Sequence, residues 1–227
     1  MKIGVIGTGM VGQALAGKLA EAGHEVVIGT RNVSETMART KSDAFGNPPF
    51  KVWILNHPAI KADTFAHAAA HGELNINATN GAGALDALRL AGESNLQGKI
   101  LMDVSNPLDF SKGMPPSLFV CNTESLGEQI QATYPKAKVV KTLNTVNARV
   151  MVDPQKVGGG DHHVYVSGND GRAKGQVTEL LTKSLGWKNV IDLGGIVTAR
   201  GAEMVLPLWI GLMGALKTPM FNFKIVL

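Results

Sequence analysis

Three glycines carry the first chemistry in this chain. Gly7-Thr8-Gly9-Met10-Val11-Gly12 follows a short apolar run and opens a stretch whose apolar residues recur at helical spacing. A G-x-G-x-x-G turn between strand and helix is a phosphate cradle. Gly7 permits the tight turn, Gly9 lets a pyrophosphate approach the backbone, and Gly12 lets the helix pack closely on the strand. The first N–H groups of the helix have no partner within it and point at the phosphates, backed by the helix dipole. The bland alternative is a Gly-rich turn that holds nothing.

The second element is Thr30-Arg31-Asn32, some twenty residues past the glycines. An Asp or Glu there would accept hydrogen bonds from the ribose 2′-OH of NAD. A carboxylate would repel a 2′-phosphate, whereas the Arg31 guanidinium can fork onto one and the Thr30 hydroxyl can donate to it. Arg39 can assist from the following helix. These residues point to NADP(H), against the reading of Arg31 as a solvated loop residue.

Three later segments end predicted strands in polar, loop-forming residues: 77–83 (NATNGAG), 103–109 (DVSNPLD) and 141–148 (KTLNTVNA). Strand carboxyl ends form the ligand crevice of an open α/β sheet. Ala78, Thr79, Ser105, Asn106, Pro107, Asn144 and Thr145 are therefore expected to line the nicotinamide half of the site, although Asn and Pro also favour turns on their own account.

No side chain is assigned a catalytic role and no metal site is expected. His67 and His71 stand four apart on one helix face, but Ala68 follows the first His where a zinc hydrolase helix would carry Glu. His162 and His163 are neighbours in a strand and point to opposite faces. Asp103 and Asp109 are explained by the turn at Asn106-Pro107 rather than by acid–base pairing. Lys141 could donate a proton to an imine or ketone, yet a lysine entering a loop is normally solvated. Met204, Met213, Met220 and Trp209 are expected to make core or dimer contacts in preference to a wall for a flat ring.

The elements that must position these residues alternate. Strands are predicted at 3–6, 25–29, 74–78, 100–104, 139–143, 163–167 and 190–193, with helical patterns between them. That is the signature of an α/β, Rossmann-type, doubly wound and mostly parallel sheet. The first helix presents Val11, Ala14, Leu15, Leu19 and Ala22 on one face and ends at Gly23. A second spans 172–185, capped by Asn169 or Asp170, with Ala173, Val177, Leu180, Leu181 and Ser184 inward. Segment 43–58 reads as a loop with an edge strand. The dinucleotide-binding domain is expected over 1–150, and 151–227 as an extension that completes the sheet and caps the site with helix.

The 227 residues are 44% hydrophobic and 18% charged, with a formal net charge of +4, and offer no basic block to hold nucleic acid. Cys121 is the only cysteine, so no intrachain disulfide is possible. Met1-Lys2 leads straight into a strand with no room for a signal peptide, and the apolar run 204–216 is too short to span a bilayer. A cytoplasmic, membrane-free homodimer is expected.

In combination, 7–32 (GTGMVGQALAGKLAEAGHEVVIGTRN), 103–107 (DVSNP), 139–146 (VVKTLNTV), 164–170 (VYVSGND) and the closing LPLWIGLMGAL…FNFKI resemble the NADPH-dependent coenzyme F-420 reductases over nearly the whole chain. The chain is also similar to the cytosolic NADPH domain of the six-transmembrane metalloreductases. The resemblance implies direct hydride transfer between NADPH and a deazaflavin (coenzyme F-420) or a flavin (FMN or FAD) stacked on it, a small-molecule acceptor. It implies that Thr8, Met10 and Val11 line the phosphate turn. Thr30 and Arg31 would hold the 2′-phosphate, and Ala78, Pro107, Asn144 and Thr145 would surround the nicotinamide. Asn144 stands where the deazaflavin-using reductases carry His, and Glu35 where they carry a further basic residue. The competing functions are an NADPH-dependent imine or carbonyl reductase and a non-catalytic NADP(H) redox sensor.

Overall fold

The computed structural model of the chain describes residues 1–42 and 46–227. Its elements are, in order, β1 (Lys2–Ile6), α1 (Met10–Glu21), β2 (Glu25–Thr30), α2 (Val33–Ala38), α3 (Phe50–Leu55), β3 (Lys61–Thr64), α4 (Phe65–His71), β4 (Leu74–Asn77), α5 (Ala84–Ala91), α6 (Glu93–Leu96) and β5 (Ile100–Asp103). A small hairpin of β6 (Leu108–Asp109) and β7 (Ser117–Leu118) follows, then α7 (Leu126–Thr133), β8 (Lys138–Thr142), α8 (Ala148–Met151), β9 (His163–Gly168), α9 (Gly171–Lys183), β10 (Asn189–Gly194), α10 (Ala199–Met204) and α11 (Leu206–Leu216).

Eight strands form one sheet in the order β10-β9-β8-β5-β4-β1-β2-β3. From β3 to β8 all neighbours are parallel; β9 runs antiparallel to β8, and β10 parallel to β9. The chain order reverses between β1 and β4, which is where a doubly wound, Rossmann-like sheet opens its ligand crevice. Strand alternation sends the apolar side chains to two layers. Ile3 and Val5 pack with Leu15 and Leu19 of α1, Ile54 of α3 and Val177 of α9. Ile6 packs on the other face with Ala69 of α4, Leu88 of α5 and Ile130 of α7.

The seven strands predicted from sequence are all present, each within a residue of its expected ends. β3 is the addition. Its sequence KADT holds one apolar residue, so no alternation marks it, and backbone pairing to β2 makes it a strand. In segment 43–58, positions 43–45 lie outside the described residues. The expected edge strand there is instead helix α3, begun after Pro49, with Phe50 and Ile54 one turn apart and both buried. The buried side of α1 is Gly12, Leu15, Ala16, Gly17 and Leu19; Ala22, expected inward, is exposed. The second predicted helix is α9, whose Ala173 N–H donates to the Asp170 carboxylate at 2.8 Å.

The apolar run at 204–216 belongs to a longer helical stretch than its hydropathy suggested. A 3-10 turn at Ile196–Thr198 joins α10 and α11 into a 21-residue run, Ile196–Leu216, with a mean hydropathy of 1.3, long and apolar enough by length and composition to cross a membrane. Arg200 and Glu203 interrupt the apolar pattern, and both bind back into the fold: Arg200 pairs with Glu128 of α7, and Glu203 is buried.

Candidate functional site

The phosphate turn is built as its glycines require. Gly7 sits at φ 122°, and a Cβ there would lie 2.6 Å from the Ala78 carbonyl oxygen. A Cβ on Gly12 would collide with the carbonyl oxygen of Gly7, so only glycine lets α1 come this close to the end of β1. Gly9 is different: beyond its chain neighbours, no atom of the described residues lies within 4 Å of a Cβ built on it, and no side chain caps the helix it begins. The first N–H groups of α1 therefore face open space beside a bare backbone, the cradle a pyrophosphate needs. Gln13 Nε2 donates to the Thr8 carbonyl at 2.8 Å and holds the turn in shape, with Thr8, Met10 and Val11 half-buried around it.

At the end of β2, Arg31 and Asn32 are exposed. Asn32 caps α2, accepting from the Glu35 N–H at 3.1 Å, and its amide donates to the Glu35 carboxylate at 3.0 Å. Glu35 is thus engaged by Asn32, and Arg31 makes no hydrogen bond or ion pair among the described residues. Thr30, expected to donate to the 2′-phosphate, is turned inward: it is buried, and its hydroxyl lies 2.7 Å from that of Thr36. The exposed residues that fit a 2′-phosphate are Arg31 and Asn32.

The three later strand ends divide into two groups. Thr79, Ser105 and their neighbours form an internal network. The Thr79 hydroxyl donates to Asn77 Oδ1 at 2.7 Å, Asn77 Nδ2 donates to Asp103 Oδ1 at 2.8 Å, and the Ser105 hydroxyl donates to the same oxygen at 2.7 Å. Ser105 is buried and its expected role as a ligand donor is not open to it; its carbonyl instead accepts from Lys141 at 2.6 Å. Thr145 and Pro107 are buried as well, and Ala78 is half-buried against Gly7. Asn106 and Asn144 form the second group. Asn144 Nδ2 donates to Asn106 Oδ1 and to the Ala202 carbonyl, both at 3.0 Å, and Asn106 Nδ2 returns a bond to the Asn144 carbonyl at 2.8 Å. This amide pair lies in the wall of a cleft of about 630 Å³.

Met10 and Val11 bring the phosphate turn into that cleft; Val104 and Val146 come from the ends of β5 and β8, Leu108, Phe110 and Met114 from the hairpin region, and Leu206, Trp209, Ile210 and Met213 from α11. Such a composition grips a flat ring by apolar contact, with amides to orient its polar edge. Trp209 and Met213, expected in a core or dimer contact, form the roof here, and Trp209 is held flat against Phe221 at 5.0 Å between ring centroids. Among the described residues Arg149 is the only ionisable side chain in the wall. Sequence reasoning passed over it, because nothing near it in the chain distinguishes it from a solvated arginine.

Lys141 is neither solvated nor in the cleft. It is 1% exposed, with Nζ 2.7 Å from Asp103 Oδ2 and 2.8 Å from Glu203 Oε1. Burial alone would push its pKa down; attraction by Asp103 and Glu203 outweighs that and holds it above its ordinary value. Glu203 also accepts the Leu126 and Gly127 N–H groups at 2.8 and 3.0 Å, the otherwise unpartnered donors at the start of α7. Asp109, by contrast, binds Ser111 at the surface, away from Asp103. His67 lies 2.8 Å from Asp63, His71 reaches the Glu25 carbonyl at 3.1 Å, and His162 reaches the Pro154 carbonyl at 3.0 Å; each is accounted for by a local bond.

Comparison with known proteins gives this site its setting. The family model described as NADP oxidoreductase, coenzyme F-420-dependent, matches residues 2–107. A crystal structure from Arthrobacter sp. FB24, assigned as an F-420-dependent NADP reductase, is 59% identical over 100% of both chains, with a TM-score of 0.95. The F-420-dependent NADP reductase of Methanothermobacter marburgensis is 27% identical over 216 residues, covering 93% of this chain and 92% of that one. Rat metalloreductase STEAP3 is 27% identical over 213 residues, which is 92% of this chain but 38% of the rat protein, so the chain spans well under half of that relative. With a phosphate cradle, an arginine where NAD enzymes carry an acid, and full-length similarity to a reductase, the chain belongs to the coenzyme F-420-dependent NADP oxidoreductase family.

Proposed function

We propose that the protein transfers hydride between NADP(H) and a deazaflavin such as coenzyme F-420, or a flavin, seated in the cleft beneath α11. The observation that carries this reading is the wall of the cleft. It joins the phosphate turn to an apolar roof and contains no carboxylate, histidine or lysine among its described residues. A carbonyl or imine reduction asks for a proton donor beside the substrate, whereas hydride exchange between two stacked rings asks for position and dryness. A bound NADPH would supply a hydride to the acceptor ring, with the accompanying proton taken from solvent.

The chain's own residues do the rest. Gly9 and the start of α1 seat the pyrophosphate, and Arg31 selects the 2′-phosphate. Asn106 and Asn144, locked to each other, offer fixed amides to a ring edge. Trp209, Met213 and Ile210 cover the rings and exclude water.

The test is anaerobic oxidation of NADPH by the purified protein with coenzyme F-420, FMN or FAD in separate reactions and NADH as control donor. Turnover with one of these acceptors, and preference for NADPH, are the expected results. Tight NADPH binding without reduction of any of them would overturn the enzyme assignment and leave a nucleotide sensor or a different acceptor.

A further inference from the structure

Among the described residues the cleft has one ionisable side chain, and neither the phosphate turn nor hydride transfer accounts for it. Arg149 stands in α8, directly after the loop that carries Asn144, and its backbone N–H is fixed by the Asn147 side chain at 2.9 Å. It is exposed at the cleft, and among the described residues its guanidinium has no carboxylate or carbonyl partner. An arginine left unpaired beside an apolar wall is a ready fork for a phosphate or carboxylate. Arg31 cannot be serving the same group. It follows β2, while Arg149 follows β8, and β2 and β8 are separated by β1, β4 and β5. At about 4.8 Å per strand that is roughly 19 Å across the sheet.

Resting on the reading of the cleft as the acceptor site, we infer that Arg149 anchors the anionic tail of the acceptor, the phosphate-bearing side chain on its ring nitrogen, and so sets preference for phosphorylated over tail-free acceptors. The competing ligand for this guanidinium is the pyrophosphate of the dinucleotide, since Met10 and Val11 border the same cleft. Position favours the acceptor. Arg149 sits among Val146, Asn147, Ala148 and Met151, on the side of the cleft away from β2, and the pyrophosphate already has the free N–H groups of α1.

The experiment compares paired acceptors that share a ring and differ in the tail: FMN against riboflavin, and coenzyme F-420 against its tail-free deazaflavin. For the wild type the KM of the tailed member should be about tenfold lower, as one charge-assisted fork allows. Arg149→Gln should collapse that ratio toward one, and Arg149→Lys, with charge but no fork, should fall between. Because Arg149 is exposed the variants should fold, and the wild type gives an independent reading: added salt should raise the KM of the tailed acceptor and leave that of its tail-free partner in place. A ratio unchanged in Arg149→Gln, together with weaker NADPH binding, would assign the arginine to the dinucleotide and overturn the inference. If the wild type reduces tailed and tail-free acceptors equally well, the inference fails while the acceptor reading stands. If it reduces none, both fail.

Discussion

Arg31 and Lys141 are both cations near the carboxyl ends of strands in one sheet, and the molecule treats them in opposite ways. Arg31 is exposed and, among the described residues, unpaired; Lys141 is buried between Asp103 and Glu203. The first is free to select a ligand. The second joins three parts of the fold, since its partners come from β5 and α10, and Glu203 in turn holds the first N–H groups of α7. Charge at a strand end is therefore no guide to function until its partners are known. An unpaired cation can receive an anion; a doubly paired one has already done so.

The largest effect should come from breaking the buried member of the comparison. Lys141→Met leaves two buried carboxylates facing each other, and unfolding stability should fall by about 3–5 kcal/mol, read by denaturant melts. Adding Glu203→Gln should restore part of that loss, because one of the two carboxylates is then neutral. A Lys141→Met variant as stable as the wild type would show that the cluster is replaceable by apolar packing.

The exposed member should affect binding and leave the fold alone. Arg31→Ala should weaken NADPH by roughly ten- to a hundredfold, the scale of one charge-assisted contact, without a matching change for NADH. Titration of both dinucleotides checks this, and equal losses for the two would remove Arg31 from the 2′-phosphate.

A smaller effect is expected at the other tie of α10. Arg200 places Nε and a terminal nitrogen on Glu128 at 2.8 and 2.6 Å. Arg200→Ala should lower stability only slightly, read by denaturant melts, since a solvent-screened pair contributes little. The Arg200 hydrogen bond holds the Glu128 carboxyl below its ordinary value. Its contribution is thus present above the unfolded value and lost as pH falls through the folded one, so wild type and variant should converge in acid. Lys141 has the opposite sign. Its pKa is raised, so its contribution is intact below its ordinary value of 10.5 and disappears only at more alkaline pH. The stability difference between wild type and Lys141→Met should accordingly be largest around neutrality and shrink above that value, as Lys141 loses its charge in the wild type.

The sequence made one half of this site legible and hid the other, for a physical reason. The cradle is local: Gly7, Gly9 and Gly12 act on the same turn, and Arg31 lies one strand on, so spacing alone reveals them. The seven recognised strands likewise declare themselves by short apolar runs. β3 has no such run and exists through its pairing with β2. The Lys141 cluster depends on residues 38 and 62 positions away in sequence. In VVKTL the lysine looks like a loop entry, and only the sheet register, which sets Asp103 opposite Lys141, turns it inward. Trp209 and Met213 make an apolar pattern equally suited to a core and to a wall, and what distinguishes the two is the space in front of it.

That buried cluster has a consequence for traffic through the protein. The helix roofing the cleft is rooted in α10, and α10 is fastened to the sheet by Glu203. For α10 to leave the sheet, a carboxylate would have to leave both Lys141 and the start of α7, abandoning a lysine in the interior. The root of the roof is thereby fixed to the sheet. Exchange of reactants should pass through the flank beside the β6–β7 hairpin, where Phe110 and Met114 line the cleft and stand exposed.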